Sequence, residues 1–149
     1  MPNVICSTQP SSLVLASNFS KTDETLANIT SFTIDVVGGK TYKIEATLYT
    51  TSNVAGGIKM ALAGSATATA VIYEAVVFQT AVAAQSRATA LGTAVGAVTA
   101  VTTAQVRLTG SILVNATGTL AIQFARNAAV GTSVVLGGST LKVEEAVIV

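Results

Sequence analysis

The chain has 149 residues, of which 50% are hydrophobic and only 10% charged, against about 25% charged in a typical domain. Histidine is absent, which removes the commonest general base, the commonest metal ligand and every Ser-His or Cys-His nucleophile arrangement. Its 8 basic and 7 acidic residues leave a net charge of +1 and no basic stripe to neutralise a run of phosphates, so nucleic-acid binding is excluded as a main role.

The first elements are short. Residues 1–20 read as an N-terminal arm or edge strand of the same domain that residues 21–149 complete. Val4, Ile5 and Cys6 form an apolar centre before Pro10, and Leu13, Val14 and Leu15 follow. An arm of this kind either holds a neighbouring subunit or tucks onto its own domain. Cys6 stands alone, so it makes no intrachain disulfide and reads as a small apolar side chain. Ser17 to Glu24 is a polar surface loop.

Period-two alternation then takes over, the mark of extended strands with one face inward. Phe32, Ile34 and Val36 alternate with Thr33 and Asp35, and Tyr42, Ile44, Ala46 and Leu48 alternate with Lys43, Glu45, Thr47 and Tyr49. Gly38-Gly39 between them predicts a hairpin turn. Tyr49 faces outward in this register. Ser52 to Gly57 is a loop, and Ile58, Met60 and Leu62 form the next strand, ended by Gly64-Ser65. Thr67 to Phe78 is a strand pair or one long bent strand. From Gln79 to Ala104 the pattern weakens into Ala and Thr with Gly92 and Gly96; a short helix over Ala81 to Leu91 is conceivable, but recurring Thr and Val favour strand and loop.

The last third builds sheet again. Val106, Leu108, Gly110, Ile112 and Val114 line one face, Asn115 to Gly118 turns the chain, and Leu120, Ile122 and Phe124 resume, which predicts a second paired hairpin. Val134 to Leu136, a Gly137-Gly138 turn and a closing strand with Leu141 and Val143 inward complete the chain. The total is about eight strands with turn signals every ten or so residues. The expected fold is therefore all-β: a single-domain, antiparallel, jelly-roll-like β-sandwich.

Chemistry finds little footing. The neighbours Asp23-Glu24 fall in a loop and Glu144-Glu145 on opposite faces of a strand, so neither pair converges as a glycosidase requires. Gly38-Gly39, Gly56-Gly57 and Gly137-Gly138 precede no helix with Lys-Ser/Thr and are turns, not phosphate cradles. Three Asn-X-Ser/Thr matches, at Asn18, Asn28 and Asn115, are expected by chance in so Thr-rich a chain. Windows such as Ala66 to Ala84 are broken by Thr67, Glu74 and Gln79, so no run reaches the roughly 20 apolar residues of a spanning helix. The start, MPNVICSTQPSS, has neither the basic nor the apolar region of a secretion signal, and no barrel-type aromatic girdles occur. Neither cofactor nor metal is expected, nor a membrane role.

The run Gly118-Thr119-Leu120-Ala121-Ile122-Gln123-Phe124-Ala125-Arg126-Asn127, with Val134, Gly138-Ser139 and Leu141-Lys142-Val143 after it, resembles the closing strands of small β-sandwich proteins of tailed-phage virions. Thr41 to Ala46 and Gly56 to Gly64 fit the same pattern, so the resemblance spans about Phe32 to Val143. Arg126 departs from the family's Gln, at a position the alternation places on the surface. The resemblance implies a non-enzymatic virion structural protein made in the host cytoplasm. Low charge and a mean hydropathy of +0.64 call for extensive protein-covered surface. A chain complete as this one module suits a capsid decoration (cement) protein on the head exterior, a trimer against the major capsid protein. The alternative is a tail-tip or fibre-head module binding host glycan or receptor, through the loops Ser17–Glu24 and Ser52–Gly57. Candidate subunit or capsid contacts are Val4, Ile5, Cys6, Leu13 and Tyr49.

Overall fold

A computed structural model describes residues 11–149, and every element in them is a β-strand. In chain order the strands are β1 (Ser11–Val14), β2 (Phe19–Lys21), β3 (Ala27–Val36), β4 (Thr41–Thr51), β5 (Ile58–Ala63) and β6 (Thr67–Phe78). Then come β7 (Val82–Ala88), β8 (Val95–Val98), β9 (Thr103–Ala116), β10 (Gly118–Ala125), β11 (Ser133–Val135) and β12 (Thr140–Ala146). The weak stretch 79–104 therefore holds two strands, β7 and β8, and the loops around them. Thr67 to Phe78 is one strand of 12 residues, with two register shifts near its start.

The pairing follows one rule. Each strand is antiparallel to the strand equally far from the β6–β7 turn: β6 with β7, β5 with β8, β4 with β9, β3 with β10, β2 with β11 and β1 with β12. The chain is thus one long hairpin, doubled at Gln79–Ala81 and rolled so that successive pairs out to β3–β10 land in opposite layers, the two outermost pairs both joining the larger sheet. Rolling joins β10 to β5, β6 to β9, and both β11 and β12 to β4. Two sheets result. One carries β12-β4-β9-β6-β7 with β1 at its edge, β11 beside β4 and β2 beside β11; the other is β3-β10-β5-β8. The eight strands β3 to β10 make the jelly roll, and the four outer strands widen its larger sheet.

Both expected hairpins prove to be crossings between sheets. β3 pairs with β10 and β4 with β9, so the Gly38-Gly39 turn carries the chain from one layer to the other, and the Asn115–Gly118 turn carries it back. The two crossings lie side by side: Gly39 N–H donates to the Val114 carbonyl at 2.7 Å, Val114 N–H to Lys40 O at 2.9 Å, and Gly38 N–H to Thr117 Oγ1 at 2.8 Å. Likewise β11 and β12 are successive partners of β4 and not of each other.

The core fills the space between layers. Phe32, Ile34, Leu120, Ile122 and Phe124 from the smaller sheet meet Ile44, Leu48, Leu108, Ile112 and Val77 from the larger one, all in one buried cluster. The inward set of the alternating strands, Tyr42 to Leu48 and Leu141 with Val143, is as the period of two requires. At one end Tyr42 accepts the Val37 N–H on its hydroxyl at 3.0 Å. On the other edge Tyr73, fully buried, places its hydroxyl 2.6 Å from Thr93 O and 3.0 Å from Ala90 O, pinning the β7–β8 connection over the open side of the layers.

Two expectations follow. Gly57 has φ of 64° and sits so close to β8 that a Cβ would overlap the Val98 carbonyl, whereas Gly39, φ 87°, faces open space. Gly57→Ala should cost about 3 kcal/mol or more, and Gly39→Ala about 1 kcal/mol, in chemical denaturation. Burial raises the Tyr73 phenol above its usual 10.0. The unfolded phenol ionises first, so this contribution is intact below pH 10 and is lost as pH rises from there through the folded value. Tyr73→Phe should flatten the alkaline fall in stability; an unchanged slope would contradict it.

Candidate functional site

The outer face of the larger sheet carries rows of charged side chains. Register places Lys142, Glu45, Thr109, Glu74 and Arg87 in one row across β12, β4, β9, β6 and β7. Glu144, Lys43, Ser111 and Ile72 form the next row. Arg87 approaches Glu74 at 3.5 Å and Lys142 approaches Glu144 at 3.7 Å. Such exposed pairs contribute about 0–1 kcal/mol each. Glu45 and Glu74 stand two strands apart, about 9.5 Å by strand spacing, with Thr109 between them. Among the described residues no three of His, Cys, Asp and Glu come together as a metal site.

At one end of this face the character changes. The row Tyr49, Gln105, Phe78, Val82 is aromatic and uncharged, and Arg107 stacks its guanidinium 5.8 Å from the Phe78 ring centre. A groove of about 620 Å³ runs between Tyr49 and Phe78, over Gln105 and against the turn Leu136–Gly138. None of its lining residues is ionisable as an acid or base near neutral pH.

Tyr49 is held here by its backbone. β4 passes the gap between β11 and β12, where the ladder would leave its peptide groups unpaired. Ser139, itself fully buried, fills the gap: its Oγ accepts the Tyr49 N–H at 2.9 Å and donates to Leu136 O at 2.8 Å. Leu136 N–H in turn donates to Tyr49 O at 2.7 Å. With both backbone groups fixed, the side chain is left 44% exposed at the groove's rim. On the far side Gln79 Oε1 accepts the Thr102 N–H at 2.8 Å, which ties the β6–β7 turn to the start of β9.

Of the predicted contact residues, Tyr49 is exposed as its register implied. Leu13 turns inward and packs on the core, while its neighbour Val14 is the outward one at 69% exposure. Val4, Ile5 and Cys6 lie outside the described residues. The loops around Ser17–Glu24 and Ser52–Gly57 both contact the segment 126–131. Arg126 Nε donates to Glu24 Oε2 at 2.8 Å and its Nη1 to Gly131 O at 2.7 Å, and Asn127 N–H donates to Gly56 O at 3.0 Å. Arg126 is therefore no free surface residue. Its side chain is 15% exposed because a carboxylate 102 positions away folds onto it. Nearby, the Lys21 ammonium, 2.8 Å from Asp23, and the Thr25 N–H lower the Asp23 pKa. Phe78 and Gln105 escaped the sequence reading, because only the register of β4, β9 and β6 brings them beside Tyr49.

No family model and no curated protein matches the chain. Among solved structures it is similar to a family two carbohydrate esterase from Cellvibrio japonicus, at 6% identity and a TM-score of 0.26, over 95% of this chain and 37% of that one. It is also similar to the VP2 subviral particle of infectious bursal disease virus, at 13% identity and a TM-score of 0.24, over 93% of this chain and 41% of that one. The chain thus spans well under half the length of either. Likenesses this distant carry no argument about role.

Ser139→Ala would leave the buried Tyr49 N–H without an acceptor. It should cost about 1–3 kcal/mol of stability, against less than 1 kcal/mol for the exposed Thr140→Ala, by urea denaturation.

Proposed function

We propose that the chain is a non-enzymatic structural protein of a tailed-phage virion, a decoration protein bound as a trimer to the outside of the head. The resemblance of Phe32 to Val143 to virion sandwiches supplies the setting. The observation that carries the reading is the surface. Val14, Ile72 and Val82 are exposed on the outer face of the larger sheet, and Val54 and Val130 in loops, on a chain with few charges to keep it soluble alone. Apolar side chains so distributed favour burial between copies and against a larger shell. A protein that binds only the intact shell stabilises that shell by mass action, with no catalytic step. The major capsid protein is then the partner, and the virion exterior the location.

The uncharged groove beside Tyr49 favours a second reading, a tail-tip or fibre-head module that binds a host surface glycan or receptor.

Stoichiometry in purified particles separates the two. The decoration reading expects copies in fixed proportion to the shell protein and a trimer in sedimentation equilibrium at roughly micromolar concentration. A few copies per particle would favour the tail reading. Absence from particles would overturn both.

A further inference from the structure

We propose that the groove between Tyr49 and Phe78 is a binding site for a neutral pyranose sugar. The assignment deepens the receptor-module reading and rests on it. Three features of the groove converge. Its volume, about 620 Å³, lies within the range of small-molecule sites. Its two aromatic side chains flank a central amide: register sets Tyr49 and Phe78 on either side of Gln105, each one strand away. Its lining is without ionisable acids or bases, so it offers nothing to a sialic acid or a phosphate.

A pyranose ring has two kinds of surface. The faces carry C–H bonds with slight positive charge, which lie well on the negative face of an aromatic ring. The rim carries hydroxyls that both donate and accept. Tyr49 supplies a ring 44% exposed before any ligand arrives, held by a backbone that Ser139 and Leu136 fix on both sides. Little ordering cost therefore attends binding at that wall. Gln105 supplies an amide that donates and accepts between the rings, and among the described residues its side chain makes no hydrogen bond. Arg107 lies outside the lining, its guanidinium 5.8 Å from the Phe78 ring centre.

A buried aliphatic side chain from a second copy would leave the Gln105 amide unpaired, a cost a sugar hydroxyl avoids. An anionic glycan would gain nothing from the lining.

The test is titration calorimetry of the full chain with methyl glycosides of glucose, galactose, mannose and N-acetylglucosamine, their short neutral oligosaccharides, and sialyllactose. The expected result is binding of at least one neutral sugar, with sialylation giving no gain. Tyr49→Ala and Gln105→Leu should each weaken that binding tenfold or more. Ile72→Ala, on the same face outside the groove, should leave it unchanged. Binding that survives Tyr49→Ala would overturn this site while sparing the receptor-module reading. No binding to any neutral sugar would overturn the sugar site alone, since copies per particle decide the receptor-module reading, and a chain that captures only copies of itself through Tyr49 would replace the sugar with a subunit interface.

Discussion

Antiparallel pairing between strands equidistant from a single turn is the constraint on which everything else in this protein depends. Once Gln79–Ala81 doubles the chain, β5 meets β8 and β4 meets β9 along the ribbon, out to β1 with β12. Rolling that ribbon closes two layers over one core without knots or long crossovers. Most pairings join residues far apart in sequence, so the loop-closure entropy is met late and all at once. The inner pairs stabilise the outer ones. β12, for example, has its place on β4 only because β9 already holds the other edge of β4.

The same arrangement builds the surface features. Where β11 and β12 follow one another along β4, they leave a gap that Ser139 must fill, and filling it fixes Tyr49. Where β4, β9 and β6 run side by side, residues from distant parts of the chain form straight rows. One row is charged, and another is aromatic and uncharged. The difference between a solvated face and a recognition groove is a displacement of four residues along each strand, from Glu45 to Tyr49 and from Thr109 to Gln105.

Much of this was legible in the sequence, because it depends on local alternation. The inward faces at Tyr42 to Leu48, at Val106 to Val114 and at Leu141 with Val143 follow from a period of two that any buried sheet imposes. The all-β sandwich follows from their number. Partners are another matter. A glycine turn between two alternating strands looks the same whether it makes a hairpin or a crossing, and Gly38-Gly39 is a crossing because its N–H groups find Val114 and Thr117. Residues 79–104 are ambiguous locally, and pairing with β6 and β5 decides them as strands. Arg126 reads as surface until Glu24 arrives from the other end of the fold. The groove is invisible for a similar reason, since no local signal aligns Tyr49, Gln105 and Phe78.

The nested pairing is most directly tested by inter-strand proton contacts measured by NMR on the labelled chain. Contacts should join Ile34 to Leu120, Leu48 to Val106 and Ser12 to Lys142, with no ladder of contacts between residues 32–36 and 42–48. A ladder between those two adjacent segments, as a simple hairpin would give, would contradict the account.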